Sequence, residues 1–357
     1  MPVLKISDET LRQAAEVLCR GGLVAFPTET VYGLGGDAYN TAAIAKIFEA
    51  KNRPRFDPLI IHIAALETLE KIADLSLLDK TAKKNLAALT KEFWPGPLTL
   101  ILPKKQATPD LATSGLPTVA VRLPAHEAAR RLIEISTGAL AAPSANPFGY
   151  LSPTRAEHVY EQLGEKVQII LDGGPSRVGL ESTVLDICGG RPRILRPGGA
   201  PKEAIEALIG ATAAGPVVGA VGVGGITSPG MLKSHYAPRV PLFVNESIFG
   251  IPADENCAYL FFDGASRDKW LSSNEWLSSK RLSPMPPPEQ KPPVKVLSET
   301  GNLTEAAARL FEALHELDQL AVKHIYAQRA PEEGLGIAIN DRLCRASAKA
   351  ASVKNSN

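Results

Sequence analysis

The chain has 357 residues, 45% hydrophobic and 22% charged, with a formal net charge of +1. That length exceeds one ordinary core and calls for two domains of about 100 to 200 residues each. The balanced charge excludes the broad basic field that nucleic-acid binders carry, so any such role would be local.

The four cysteines, Cys19, Cys188, Cys257 and Cys344, stand far apart without C-x-x-C spacing. Neither a zinc site nor a disulfide framework is indicated, and a reducing cytosol fits. MPVLKISDET has charges where an export signal needs an apolar core, so a cytoplasmic location is expected. Ala207 to Ile226 is uncharged over a length that could cross a bilayer, but its apolarity comes from Ala and Gly and Pro216 interrupts it. It reads as a flexible linker, with no membrane association.

In chain order, a helix is predicted over Asp8 to Arg20, ending at Gly21-Gly22. Leu23 to Phe26 is a short buried strand broken at Pro27, followed by Thr28-Glu29-Thr30 and a Gly-rich turn through Gly33, Gly35 and Gly36. Hydroxyls flanking a carboxylate at a strand end suit a ligand site, although a hairpin with two satisfied threonines reads equally well. A second helix, Thr41 to about Ala50 and capped by Thr41, delivers Lys51 and Arg53 just past its end. Cations there also simply favour the helix dipole. His62 lies inside the apolar strand Pro58 to Ala64, where a satisfied core histidine is the commoner reading.

A helical stretch covers about Glu67 to Lys91, and Trp94-Pro95-Gly96-Pro97 makes an architectural turn into the strand Leu98 to Leu102. On Thr118 to Leu123, strand alternation places Thr118, Ala120 and Arg122 on one face. A buried guanidinium there needs a polar partner. After a helix at about His126 to Ser136, the apolar Ala139 to Ala142 ends in Pro143-Ser144-Ala145-Asn146. Ser152 precedes a helix over Pro153 to Leu163, where Thr154 and Glu157 fit a capping box and leave the Ser152 hydroxyl for another partner or for capping. Strands follow at Val167 to Leu171, Glu181 to Ile187 and Arg193 to Leu195, then Arg196 and a helix at about Pro201 to Leu208. The middle strand opens Glu181-Ser182-Thr183, another hydroxyl cluster at a strand terminus.

Beyond the linker, strands at Val240 to Val244, Cys257 to Phe262 and Val294 to Leu297 alternate with helices, the strongest being Leu303 to Leu320. That pattern predicts a smaller α/β domain with a mostly parallel sheet, and Pro284 to Pro293 a loop within it. The organisation expected is a catalytic domain over 1–208, a Gly-rich linker or lid over 209–238 ending in Met231 to Tyr236, a C-terminal domain over 239–348 and a disordered tail over 349–357.

No P-loop, G-x-G-x-x-G, H-E-x-x-H or G-x-S-x-G motif is present. What remains is a set of hydroxyl, amide and cationic side chains at successive strand ends. Such a set suits an anionic ligand better than a covalent nucleophile.

PTETVYGLG, KNRP followed by PLIIHIA, WPGPLTLIL, TVAVRLP, AAPSAN, LSPT, ESTVLD and LRPG together resemble, in order and spacing, the YrdC/Sua5 family of threonylcarbamoyl-AMP synthases. SPGMLKSHYAP, NLTEAAARLFEALHELD and GLGIAINDRL resemble the linker end and C-terminal domain of its longer Sua5 form. The resemblance implies a YrdC-like open twisted α/β sheet with a concave groove, plus a Rossmann-like C-terminal α/β domain. It implies that L-threonine, bicarbonate and ATP, the last carrying Mg²⁺, give threonylcarbamoyl-AMP and pyrophosphate. This is the first step towards N6-threonylcarbamoyladenosine in tRNA, the product passing to the tRNA threonylcarbamoyl-transfer machinery.

Carried onto this sequence, the resemblance places threonine against Thr30, His62, Arg122, the Ala142 backbone and Ser182. ATP falls against Arg53, Asp57, Thr118, Ser144, Asn146, Ser152, Arg196 and Tyr236, and Lys51 with Arg53 forms the catalytic K-x-R pair. No resident metal is implied. Asp57 stands where the family often has Asn, which suits a nucleotide contact only if the carboxylate faces Mg²⁺ or solvent. Leu232 likewise replaces a common aromatic residue. The reading from another class is an RNA-binding module using the same basic groove; near-neutral charge and the lack of an aromatic and basic stacking face weigh against tight nucleic-acid binding.

Overall fold

Strand-forming runs assemble into two separate sheets in the computed structural model, which describes residues 3–213, 235–274 and 291–354. The chain divides into two units, Met1–Phe148 with Ser152–Leu232, and Gly149–Leu151 with Lys233–Asn357. Most of the expected lid, and much of the Pro-rich loop, lie outside the described residues. None of the helices among those residues is long and apolar enough to cross a membrane. All four cysteines are free thiols.

The first unit carries β1 (Val3–Lys5), β2 (Val24–Phe26), β3 (Gly33–Asp37), β4 (Ile60–Ile63), β5 (Leu98–Pro103), β6 (Thr118–Arg122), β7 (Ala139–Ala141), β8 (Ile169–Asp172), β9 (Thr183–Asp186) and β10 (Arg193–Arg196). They form one mixed sheet in the order β1-β8-β2-β3-β7-β4-β6-β5-β9-β10. Alternation sends neighbouring side chains of β2 to opposite faces. Ala25 joins a core with the helices Thr41–Lys51, Lys80–Phe93 and Ala156–Leu163. Val24 and Phe26 join another core with the helices Asp8–Cys19 and Glu127–Ile135. The sheet is thus clad on both faces, the α/β arrangement expected from the sequence.

Local differences have local causes. Gly33 to Asp37, read as a turn, is a strand paired with β2 and β7. Its glycines let it lie against a crowded face: a Cβ on Gly35 would stand 2.7 Å from the Phe26 ring. Asn40, not Thr41, caps the following helix by accepting from the Ala42 and Ala43 N–H groups. The long helix expected near Glu67 to Lys91 is four helical pieces, the longest Lys80–Phe93, because the Asp74 and Asp79 carboxylates cap new starts on Ser76 and Ala82. The helix expected from Pro153 begins at Ala156 with Arg155 as its cap residue, so the Thr154 and Glu157 capping box does not form.

The second unit holds β11 (Leu242–Asn245), β12 (Cys257–Asp263), β13 (Val294–Ser298) and β14 (His324–Gln328). Their order is β11-β14-β12-β13, and every pairing is parallel. β14 was absent from the sequence reading, its alternation being masked by two aromatic-ring residues among polar ones. Helices Gly264–Ser273, Leu303–Asp318 and Leu335–Lys354 complete the unit. The last of these is helical past Ala348, where a disordered tail was expected, since Ala346, Ala348, Ala350 and Ala351 favour helix.

Candidate active site

Three groups of buried polar side chains meet at strand and helix ends of the first unit. Within them Lys51 is 1%, Arg53 8%, Arg122 3% and Arg196 4% exposed, and buried cations persist only where partners compensate their desolvation.

The first group gathers at the end of Thr41–Lys51. Lys51 is the last helical residue, and its Nζ donates to the carbonyl oxygens of Ser144, at 2.6 Å, and Asn146. Burial, then the neighbouring Arg53 charge, holds the Lys51 amine well below its ordinary range, with Asp57 opposing. Asn52 leaves the helix in the left-handed region (φ 51°). That turn directs Arg53 inward rather than out past the helix end: Nε donates to the Asp57 carbonyl at 3.0 Å and Nη2 to the Pro58 carbonyl at 2.8 Å. Nη2 also lies 2.9 Å from the Asp57 carboxylate. Asp57 is 1% exposed, so the solvent-facing reading of this carboxylate is excluded. Burial pushes its pKa up against the opposing charges of Arg53, Lys51 and Arg196. Ser144 bridges to Gly33, and Asn146 Nδ2 donates to the Pro147 carbonyl at 2.9 Å.

The second group crosses the sheet. Parallel pairing of β4 with β6 sets His62 beside Arg122. Arg122 donates from Nε to the Gly96 carbonyl at 3.1 Å, from Nη1 to Thr30 Oγ1 at 2.8 Å and from Nη2 to Glu29 Oε1 at 2.6 Å. One N–H remains on each terminal nitrogen, donors of the kind that a carboxylate accepts. Glu29 Oε2 accepts from the Ala125 N–H at 3.0 Å. Burial alone would raise the Glu29 carboxyl; the Arg122 charge and its hydrogen bonds outweigh that and hold it below its usual value. Thr30 is braced by Thr28, the two hydroxyl oxygens being 2.8 Å apart. His62 Nδ1 lies 3.3 Å from the Ile60 carbonyl, and its ring meets Phe26 edge-on. Burial, reinforced by Arg122, pushes its pKa down to about 3, so the imidazole is neutral. The Ala142 N–H donates to that same Ile60 carbonyl at 2.9 Å.

The third group surrounds Ser182. Its Oγ lies 2.7 Å from Thr99 Oγ1, and Arg196 donates from Nη2 to Ser182 Oγ at 3.2 Å and to its carbonyl at 2.9 Å. Ser152 donates to the Glu181 carboxylate, so its hydroxyl is engaged within the fold. Thr118 lies on the Arg122 face of β6, half-buried. Tyr236 belongs to the second unit, where it packs on Phe311 and beneath the Arg342 guanidinium. Sequence reasoning missed Gly96, Thr99 and Glu181 as partners of these groups. Glu29 and Glu181 had each left a signal, a carboxylate beside hydroxyls at a strand end.

The arrangement offers guanidinium, amine and hydroxyl donors and a neutral imidazole. It can hold and polarise anionic and zwitterionic ligands.

Comparison with known proteins agrees with this chemistry. The Sua5, YciO and YrdC family, described as "Telomere recombination", matches residues 16–198, and the "Threonylcarbamoyl-AMP synthase, C-terminal domain" family matches residues 200–348. The threonylcarbamoyl-AMP synthase of Pyrococcus abyssi is 42% identical over 96% of this chain and 95% of its own length. That of Bacillus subtilis is 41% identical over 96% and 94%. The crystal structure of P. abyssi Sua5 complexed with L-threonine superposes with a TM-score of 0.82 at 40% identity, covering 97% of this chain and 98% of that one.

Proposed function

The chain belongs to the Sua5 family of threonylcarbamoyl-AMP synthases, and on that premise we propose how its buried polar groups divide the reaction. The enzyme uses ATP to make threonylcarbamoyl-AMP from L-threonine in the tRNA-modification route to N6-threonylcarbamoyladenosine. In our reading bicarbonate supplies the carbamoyl carbon, Mg²⁺ enters on the ATP phosphates, and the product passes to the tRNA threonylcarbamoyl-transfer machinery.

The threonine amine attacks the carbon of bicarbonate, expelling water, or of its dehydrated form, carbon dioxide, releasing a proton; either route gives a carbamate. A carbamate oxygen then attacks the α-phosphorus of ATP, and the bond to pyrophosphate breaks. Because the substrate supplies the nucleophile, the protein's part is positioning and charge stabilisation. Threonine's carboxylate meets the remaining N–H groups of Arg122, with Thr30, His62, the Ala142 backbone and Ser182 around it. Lys51, Arg53 and Arg196, with Thr118, Ser144, Asn146 and Ser152, take the nucleotide, and Asp57 acts on it through Arg53.

The observation carrying this reading is Arg122, buried and tied on three sides yet keeping one N–H on each terminal nitrogen. The deep burial of the cations also disfavours the RNA-binding alternative, since a phosphodiester backbone needs exposed charge to track. Incubation with ATP, bicarbonate and L-threonine should release pyrophosphate and yield an adduct of the expected mass. Release no greater than in serine or amino-acid-free controls overturns the assignment.

A further inference from the structure

Glu29 has no role in the division of labour above, yet it is a buried carboxylate held at both oxygens. It is 3% exposed, and its two oxygens are held by different elements: Oε1 by Arg122 Nη2 and Oε2 by the Ala125 N–H just beyond β6. Its own carbonyl accepts from the Val178 N–H at 2.7 Å. It joins Arg122 across 93 positions of sequence. A carboxylate needed only to cancel a buried charge could sit anywhere around the guanidinium. This one, with Gly96 and Thr30, fixes all three nitrogens and so determines which N–H groups stay open.

We infer that Glu29 is a positioning residue that aims the remaining N–H groups of Arg122 at the amino acid and sets the charge class this pocket accepts. The inference rests on the placement of threonine at Arg122 proposed above. Its charge argument is independent of any single distance. Glu29 and Arg122 cancel, and His62 beside them is neutral, so this side of the pocket brings no net charge of its own. A zwitterion, whose ammonium and carboxylate also cancel, enters such a site without leaving an uncompensated charge buried. A carboxylate lacking the ammonium would bring one. Glu29 therefore selects an amino acid over the corresponding hydroxy acid.

The experiment compares Glu29→Gln, Arg122→Ala and the double variant, reading KM for L-threonine and ATP and inhibition by β-hydroxybutyrate, which is threonine without its ammonium. Glu29→Gln should raise the threonine KM by about tenfold, the scale of one charge-assisted hydrogen bond, and leave the ATP KM within about twofold. It should narrow the preference for threonine over β-hydroxybutyrate, a change that loss of structure alone would not produce. Added to Arg122→Ala it should cost nothing further, because it acts through that residue. Should Glu29→Gln fail to fold, Glu29→Asp keeps the charge but withdraws it from one of its two partners, and should raise the threonine KM in the same selective way.

If Arg122→Ala leaves the threonine KM unchanged, the placement of threonine is wrong and the inference falls with it. If Arg122→Ala raises that KM while Glu29→Gln leaves both KM and ligand preference as in wild type, or the two losses multiply, the placement stands and the role of Glu29 is refuted.

Discussion

Arg53 Nη2 lies 2.9 Å from the carboxylate of Asp57, and both side chains are buried, so the cation assigned to phosphate already has an internal anion. The pair is held from both sides by main chain, since Arg53 also donates to the carbonyl oxygens of Asp57 and Pro58. A nucleotide phosphate arriving at Arg53 therefore competes with, or is added to, a carboxylate. This relationship makes Asp57 experimentally useful.

Asp57→Asn keeps the shape and removes the charge. Breaking one side of a buried pair costs about 3 kcal/mol or more, so the unliganded variant should melt earlier. Phosphate would then supply the missing anion, and ATP should raise the melting temperature more in the variant than in wild type. Equal ATP-induced shifts in thermal denaturation would show that the Asp57 charge does not oppose nucleotide binding.

Arg53→Ala should lower pyrophosphate release by about 100-fold or more, the scale set by removing a donor from a developing anion. Far-ultraviolet circular dichroism should still report a folded chain, because the Asp57 carboxyl, already pushed up by burial, can take a proton instead. Release within about twofold of wild type removes Arg53 from the phosphate-binding set.

The threonine-side hydroxyls can be tested through a residue that would touch no ligand. Thr99 Oγ1 lies 2.7 Å from Ser182 Oγ. Replacing it by valine should raise the threonine KM by about fivefold, the equivalent of one neutral hydrogen bond. Steady-state kinetics showing an effect on ATP alone would reassign Ser182 to the nucleotide.

His62 predicts a pH dependence of stability. Its folded pKa is about 3 against an ordinary 6.5, so between those values the unfolded chain binds the extra proton and the folded one does not. The stability it contributes is fully present above pH 6.5 and is lost as pH falls towards 3, by about 1.4 kcal/mol per pH unit. Urea unfolding of His62→Gln should show a shallower loss than wild type across that window. Parallel pH profiles for the two proteins would mean that His62 protonates freely in the fold.

The strand-end hydroxyls were legible because a repeated local pattern marks them: Thr28 to Thr30, Ser144 to Asn146 and Glu181 to Thr183 each follow or open an apolar run. The need of Arg122 for a partner was legible too, since alternation buries it. Which partner it takes was not, because Glu29 and Gly96 come together only when strands distant in sequence close into one sheet. Trp94 to Pro97 looked architectural for the same reason, as a glycine carbonyl leaves no mark in a sequence. Arg53 was legible as a cation just past a helix end, but its inward path was not, because the left-handed turn at Asn52 that sets its direction is a property of backbone alone. In the second unit, parallel strands were found where apolar runs are continuous, as in β12, and missed where β14 alternates partly buried rings with buried aliphatics.

The anchors of Lys51 are carbonyl oxygens of Ser144 and Asn146 rather than their side chains. Every amino acid offers a carbonyl, so alanine scanning of Pro143 to Asn146 would leave those anchors standing and would under-report what the segment does for Lys51. Adding or deleting a residue there would move both oxygens together. For this lysine the heritable requirement is the length and path of a loop, and the side chains along it are left open to vary for other purposes.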